Sequence, residues 1–198
     1  MKMSWKRQNK FMYEIVEWHR ELDLTAFYSE AARRGHINNA SQQVMVDCFR
    51  NEDRAQVWIL YKDNKAIGSV AAHTFPEMGS NAYRILTRTC VLDGVVPNNG
   101  KGLGTGRRYI QQHQNTTCQF YVPKMIEWCG INSNMYATSN QLDGGSQRKV
   151  HNIYFPLLER QGEFTKVKEM HYRGTNQTVW KLNPHQFLEN LNCNSRWV

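Results

Sequence analysis

The chain of 198 residues has no stretch approaching the ~20 consecutive apolar residues that a membrane-spanning helix needs. Its start, MKMSWKRQNKFMYEIVEW, is basic, but Glu14 and Glu17 interrupt the apolar residues, so the apolar core of a secretory signal is missing. Cysteine is scarce: Cys48, Cys90, Cys118, Cys129 and Cys193 are odd in number and form no CxxC pair. Such a set argues against a disulfide framework and for reduced thiols. The seven histidines show neither HExxH nor any Cys/His pairing at zinc spacing, so no metal motif is present. Repeats and low-complexity stretches are lacking too, and no composition break marks a second domain. These absences lead to an expectation of one soluble, cytoplasmic domain over 1–198, monomer or homodimer, with no membrane and no metal.

Charge says less. The net charge is +8, with 25 Lys and Arg spread along the chain and one dense group at Lys2, Lys6, Arg7 and Lys10. An even basic excess suits any polyanion: a nucleotide cofactor, RNA, DNA or an acidic surface.

What the chain does have is glycine concentrated in one place. From Arg84 to Gln112 the sequence reads RILTRTCVLDGVVPNNGKGLGTGRRYIQQ: an apolar β-branched run, a break, then Gly100, Gly102, Gly104 and Gly106, then a helix signal. Strand, glycine turn and helix in that order direct several backbone N–H groups at one anion, because glycine allows close backbone approach and the helix start adds partial positive charge. Lys101, Arg107 and Arg108 add full charges nearby. The Walker pattern fails, since five residues separate Gly94 from Gly100 and Gly102 follows Lys101. GxGxxG fails as well, because Thr105 and Arg107 stand where the third glycine belongs. A glycine turn that merely joins a strand to a helix is the plain alternative.

The remaining pattern alternates. A helix is expected from Asp23-Leu24-Thr25 to about Arg34, with Leu24, Phe27, Tyr28 and Ala31 on one face, and another from Ser41 to about Arg50. A hairpin follows, Gln56–Tyr61 and Ala66–His73 about a polar turn. After the glycines a helix covers 103–114, with a break expected at Asn115-Thr116-Thr117 and a kink at Pro123. Then come a strand at Met135–Thr138, a loop, a helix from Arg148 to Gly162 interrupted at Pro156, and an antiparallel pair at 164–172 and 177–182.

Val95-Val96-Pro97 followed by Asn99-Gly100-Lys101-Gly102-Leu103-Gly104 resembles motif A of the GNAT acyltransferase superfamily, and Leu157 to Phe164, LLERQGEF, resembles that family's closing signature. The element order resembles the family's too, over about residues 24–182, with 183–198 left as a tail. The resemblance implies an α/β (α+β sandwich) fold with a mixed, mostly antiparallel central sheet flanked by helices. It implies acetyl-CoA as cofactor, held by Val95, Val96, Asn99, Gly100, Lys101, Gly102, Leu103, Gly104 and Thr105, with Asn140 near the pantetheine arm. Asn99 stands where the family usually has Arg or Gln, and Leu158 where it usually has tyrosine.

The implied reaction is acetyl transfer to a primary amine by direct attack. Coenzyme A must be anchored, the thioester oxygen needs a hydrogen-bond donor, and the amine must lose a proton. Tyr154, one turn before Leu158, is the candidate proton donor to the thiolate, against a packing role on the sheet. Asp93 is the candidate base, against a turn role before Gly94. His73 is a weaker base, and Cys90 is more simply a small buried hydrophobe than an acyl carrier. Two other readings remain open: a non-catalytic CoA-binding or interaction module of the same fold, and a nucleic-acid-modifying or nucleic-acid-binding one supported by the basic N-terminus.

Overall fold

A computed structural model of the chain describes residues 5–8, 11–34, 54–92, 112–140 and 150–193. Asp93, the cofactor-binding candidates Val95, Val96, Asn99, Gly100, Lys101, Gly102, Leu103, Gly104 and Thr105, and the helix expected over 41–50 all lie outside these residues. The chain divides into two compact units, Met1–Thr74 with Thr87–Gly94, and Phe75–Leu86 with Val95–Val198.

The first unit is built on antiparallel strands. β1 (Trp5–Gln8) pairs with β2 (Phe11–Glu17), β2 with β3 (Ala55–Lys62), and β3 with β4 (Lys65–Thr74). The β3–β4 turn is made by Asp63 and Asn64, both at positive φ (48° and 66°), the backbone twist that a two-residue hairpin favours. Asp63 also fastens the turn to β2: its Oδ1 accepts the Met12 N–H at 3.0 Å. Helix α1 (Thr25–Arg33) buries the face its spacing predicts, Leu24, Phe27, Tyr28 and Ala31, against Val57, Ile59, Ala71 and Cys90. Arg34, just past α1, donates from Nη1 to the Leu92 carbonyl at 2.8 Å, tying the helix end to the end of β5 (Ala82–Val91).

The chain passes between the units within β5. In the second unit β5 starts after a short 3-10 turn at Pro76–Met78 and pairs in parallel with β6 (Asn134–Ser139). β6 pairs antiparallel with β8 (Thr175–Leu182), and β8 with β7 (Phe164–Tyr172). Among the described residues the strands follow the order β1-β2-β3-β4-β5-β6-β8-β7. The β7–β8 turn uses Arg173 and Gly174 at positive φ, as Asp63 and Asn64 do in the other hairpin.

Two helices carry a wide turn ahead of a proline. Thr117–Tyr121 is a π turn leading into α2 (Val122–Cys129), and Val150–Tyr154 is a π turn leading into α3 (Phe155–Arg160). Pro123 and Pro156 lack the N–H that an α-helix would use there, and their rings crowd the carbonyl four residues back. Widening the preceding turn relieves both problems without ending the helix. The break expected at Asn115-Thr116-Thr117 is therefore absent. All three side chains are buried and the chain stays helical through them, because the proline further on is accommodated instead.

A second correction concerns the segment read as a tail. Pro184–Asn192 forms helix α4, with Pro184 at its first turn and Phe187 fully buried. Polar bonds tie it down: Asn190 Nδ2 donates to the Gln161 carbonyl (3.1 Å) and to Glu163 Oε1 (2.8 Å). Asn183 Nδ2, just before it, donates to the Gly162 carbonyl at 2.9 Å. Gly162, at φ 74°, ends α3 in a left-handed turn closed by Glu163 N–H to the Leu158 carbonyl at 3.0 Å.

Candidate functional site

In the second unit, β5 and β6 pair at Ala82–Asn134, Tyr83–Met135 and Arg84–Tyr136. The described ladder stops there, although β6 runs on to Ser139. Leu86, two residues beyond the last pair, sits at φ 56° inside a strand, and its N–H donates to Met125 Sδ at 3.4 Å. A leucine in this region of φ costs about 1–3 kcal/mol, a strain that persists only where the surroundings enforce it and that clusters at functional sites. Among the described residues, Ala137 to Ser139 of β6 have no ladder partner on β5.

Chemistry-bearing side chains gather at that end of β6. Ser139, the last residue of β6, is buried. Its Oγ lies 2.8 Å from His151 Nδ1 and accepts the Trp180 indole N–H at 2.8 Å. Trp180 in turn stacks on Phe155, centroids 5.1 Å apart and rings 7° from parallel. His151 lies in the π turn and is buried. Burial first, then the Lys166 charge, holds its pKa below the ordinary value, while Glu169 pulls the other way. Burial and the Lys166 charge both favour its neutral form.

Tyr154 closes the same π turn. Only 2% of it is exposed, and its ring sits edge-on between His113 (5.2 Å) and Phe155 (5.4 Å). Leu158, one turn on, is fully buried. Asn140 directly follows Ser139, and its Oδ1 is sealed from solvent with no hydrogen-bond partner among the described residues. On the opposite face of β6, Arg84 donates from Nε and Nη2 to Thr138 Oγ1 (3.1 and 2.7 Å) and lies over the Tyr172 ring at 4.8 Å.

Of the residues singled out from sequence, Tyr154 and Asn140 thus lie in the same unit, with the Ser139–His151 pair beside them. His73 belongs to the first unit, buried, its Nδ1–H donating to the Thr74 carbonyl at 2.6 Å. Cys90 is also in the first unit, and burial pushes its thiol up to about 12, so it stays protonated and poorly nucleophilic. Ser139, His151 and Trp180 were not anticipated. They are scattered in sequence, and His151 points at Ser139 from a π turn that the helical spacing gives no sign of.

This is the fold of the GNAT acetyltransferases. A GNAT-family acetyltransferase from Desulfovibrio desulfuricans superposes with a TM-score of 0.52 at 10% identity, covering 87% of this chain and 99% of the other. An aminoglycoside 6'-acetyltransferase type Ii gives 0.52 at 13% identity, covering 86% and 96%. The aminoglycoside 6'-N-acetyltransferase from Enterococcus faecium gives 0.50 at 14% identity, covering 84% and 94%. No protein-family model and no curated protein matches the sequence.

Proposed function

We propose that the protein is an acyl-CoA-dependent N-acyltransferase that moves acetyl from acetyl-CoA to a primary amine by direct attack. The observation that carries this reading is the interrupted β5–β6 ladder, strained at Leu86, in a chain with the GNAT fold. Past Tyr136, the edge of β6 on the β5 side offers backbone groups to an extended, amide-bearing ligand, and the pantetheine arm is one. Asn140 Oδ1 adds a buried acceptor for a ligand N–H.

The remaining roles come from resemblance. Gly100 to Thr105 hold the pyrophosphate, Val95 or Val96 N–H faces the thioester, Asp93 relieves the amine of its proton, and Tyr154 protonates the thiolate. Two of the superposed structures are acetyltransferases named for aminoglycosides, which are polyamines, and this favours an amine acceptor here.

Calorimetric titration with acetyl-CoA and with free coenzyme A tests the reading. Micromolar binding is expected, lost in a Gly102→Asp/Gly104→Asp double variant whose carboxylates repel the phosphates. Absence of binding to the unmodified chain would leave only a fold without this function.

A further inference from the structure

One hydrogen-bonded chain in the second unit has no part in the roles above. Ser139 Oγ receives the Trp180 N–H, and its own hydrogen has one acceptor among the described residues, His151 Nδ1 at 2.8 Å. With the Ser139 hydroxyl donating to Nδ1, the imidazole proton is assigned to Nε2. With Nδ1 occupied and Nε2 protonated, the ring is neither a ready base nor a strong acid. What it offers is an N–H of fixed direction. At the end of β6, Asn140 Oδ1 is a buried acceptor with no hydrogen-bond partner among the described residues, so the same segment of chain also holds an acceptor open to a ligand N–H.

We propose that His151 Nε2–H hydrogen-bonds the thioester carbonyl oxygen of a bound acyl-CoA, with Ser139 and Trp180 as positioning residues that fix its tautomer and aim; this rests on the acyltransferase reading. When the amine nitrogen attacks, the new C–N bond forms and the carbonyl electron pair moves onto that oxygen, where the N–H bond strengthens. The tetrahedral intermediate then collapses, the C–S bond breaks, and the proton shed by the amine ends on the departing thiol. No proton leaves His151. A neutral imidazole suits this task, because a preformed dipole away from water stabilises developing charge without reorganising.

The test compares acetyl-CoA with S-ethyl-CoA, a thioether that lacks the carbonyl, by calorimetry. The unmodified chain is expected to prefer acetyl-CoA by roughly three- to tenfold, the range for one neutral hydrogen bond. His151→Ala lowers the preference for acetyl-CoA toward that left by a backbone N–H alone. His151→Gln, whose amide nitrogen reaches the Nε2 position, restores it, whereas His151→Asn, which reaches only Nδ1, does not. Ser139→Ala lowers the preference too, and nitrogen NMR shows the Nδ1-protonated form appearing.

Three outcomes would overturn the proposal: equal weakening of both ligands in His151→Ala, rescue by Asn as good as by Gln, or no preference in the unmodified chain. If that chain binds neither ligand, the acyltransferase reading fails with it; binding without the expected preference pattern fails this proposal alone.

Discussion

His151 is the residue whose protonation the fold works against. Its pKa in the folded chain lies below 6.5 because burial and Lys166 disfavour the imidazolium, so on acidification the unfolded chain takes up this proton first. The stability linked to it is complete above about pH 6.5 and is lost as pH falls toward the lower folded value. Thermal unfolding followed between pH 7.5 and 5 should show a loss that is smaller in His151→Gln, which has nothing to titrate. An identical pH profile in both proteins would mean that His151 titrates normally. Tyr28 shows the opposite side of burial: fully enclosed in the first unit, its hydroxyl is pushed up to about 12 and acts only as a neutral group.

Among the elements, α4 shows how little of a segment's role its polarity reveals. The stretch from Asn183 to Cys193 is mostly polar, yet Phe187 is buried and Asn183 and Asn190 bond across to the α3–β7 turn. Replacing Phe187 by Ala is expected to cost about 3–5 kcal/mol, the usual price for emptying a buried phenylalanine site. Urea unfolding measures it, and a change within 1 kcal/mol would show that α4 adds nothing to the folded unit. The π turns make a related point. Each precedes a proline, and the second brings His151 and Tyr154 into the buried layer together.

For the whole molecule, binding and stability are linked by mass action. Acetyl-CoA at a hundredfold its dissociation constant should stabilise the folded chain by about 2.7 kcal/mol if it binds only that state. For a chain of this size that is roughly 5–10 °C in unfolding temperature, read in a thermal scan. The Gly102→Asp/Gly104→Asp protein should show no shift, and an equal shift in both would place the binding elsewhere. Among the described residues no helix is long and apolar enough to cross a membrane.

The sequence by itself determined the elements whose signals are local. The i, i+3, i+4, i+7 face of α1, the hairpin about Asp63-Asn64 and the glycine at the end of α3 each follow from a few neighbouring residues, and each is present as read. Tertiary structure alone decided the rest. Leu86 takes a positive φ inside β5, and nothing in the residue type leucine announces it. The Trp180–Ser139–His151 chain joins a strand, a helix and a second strand, and no spacing rule links residues that meet only when a sheet and a helix pack. Helix α4 was hidden for the same reason: its stability comes from one buried ring and bonds to distant carbonyls rather than from a strong pattern of its own.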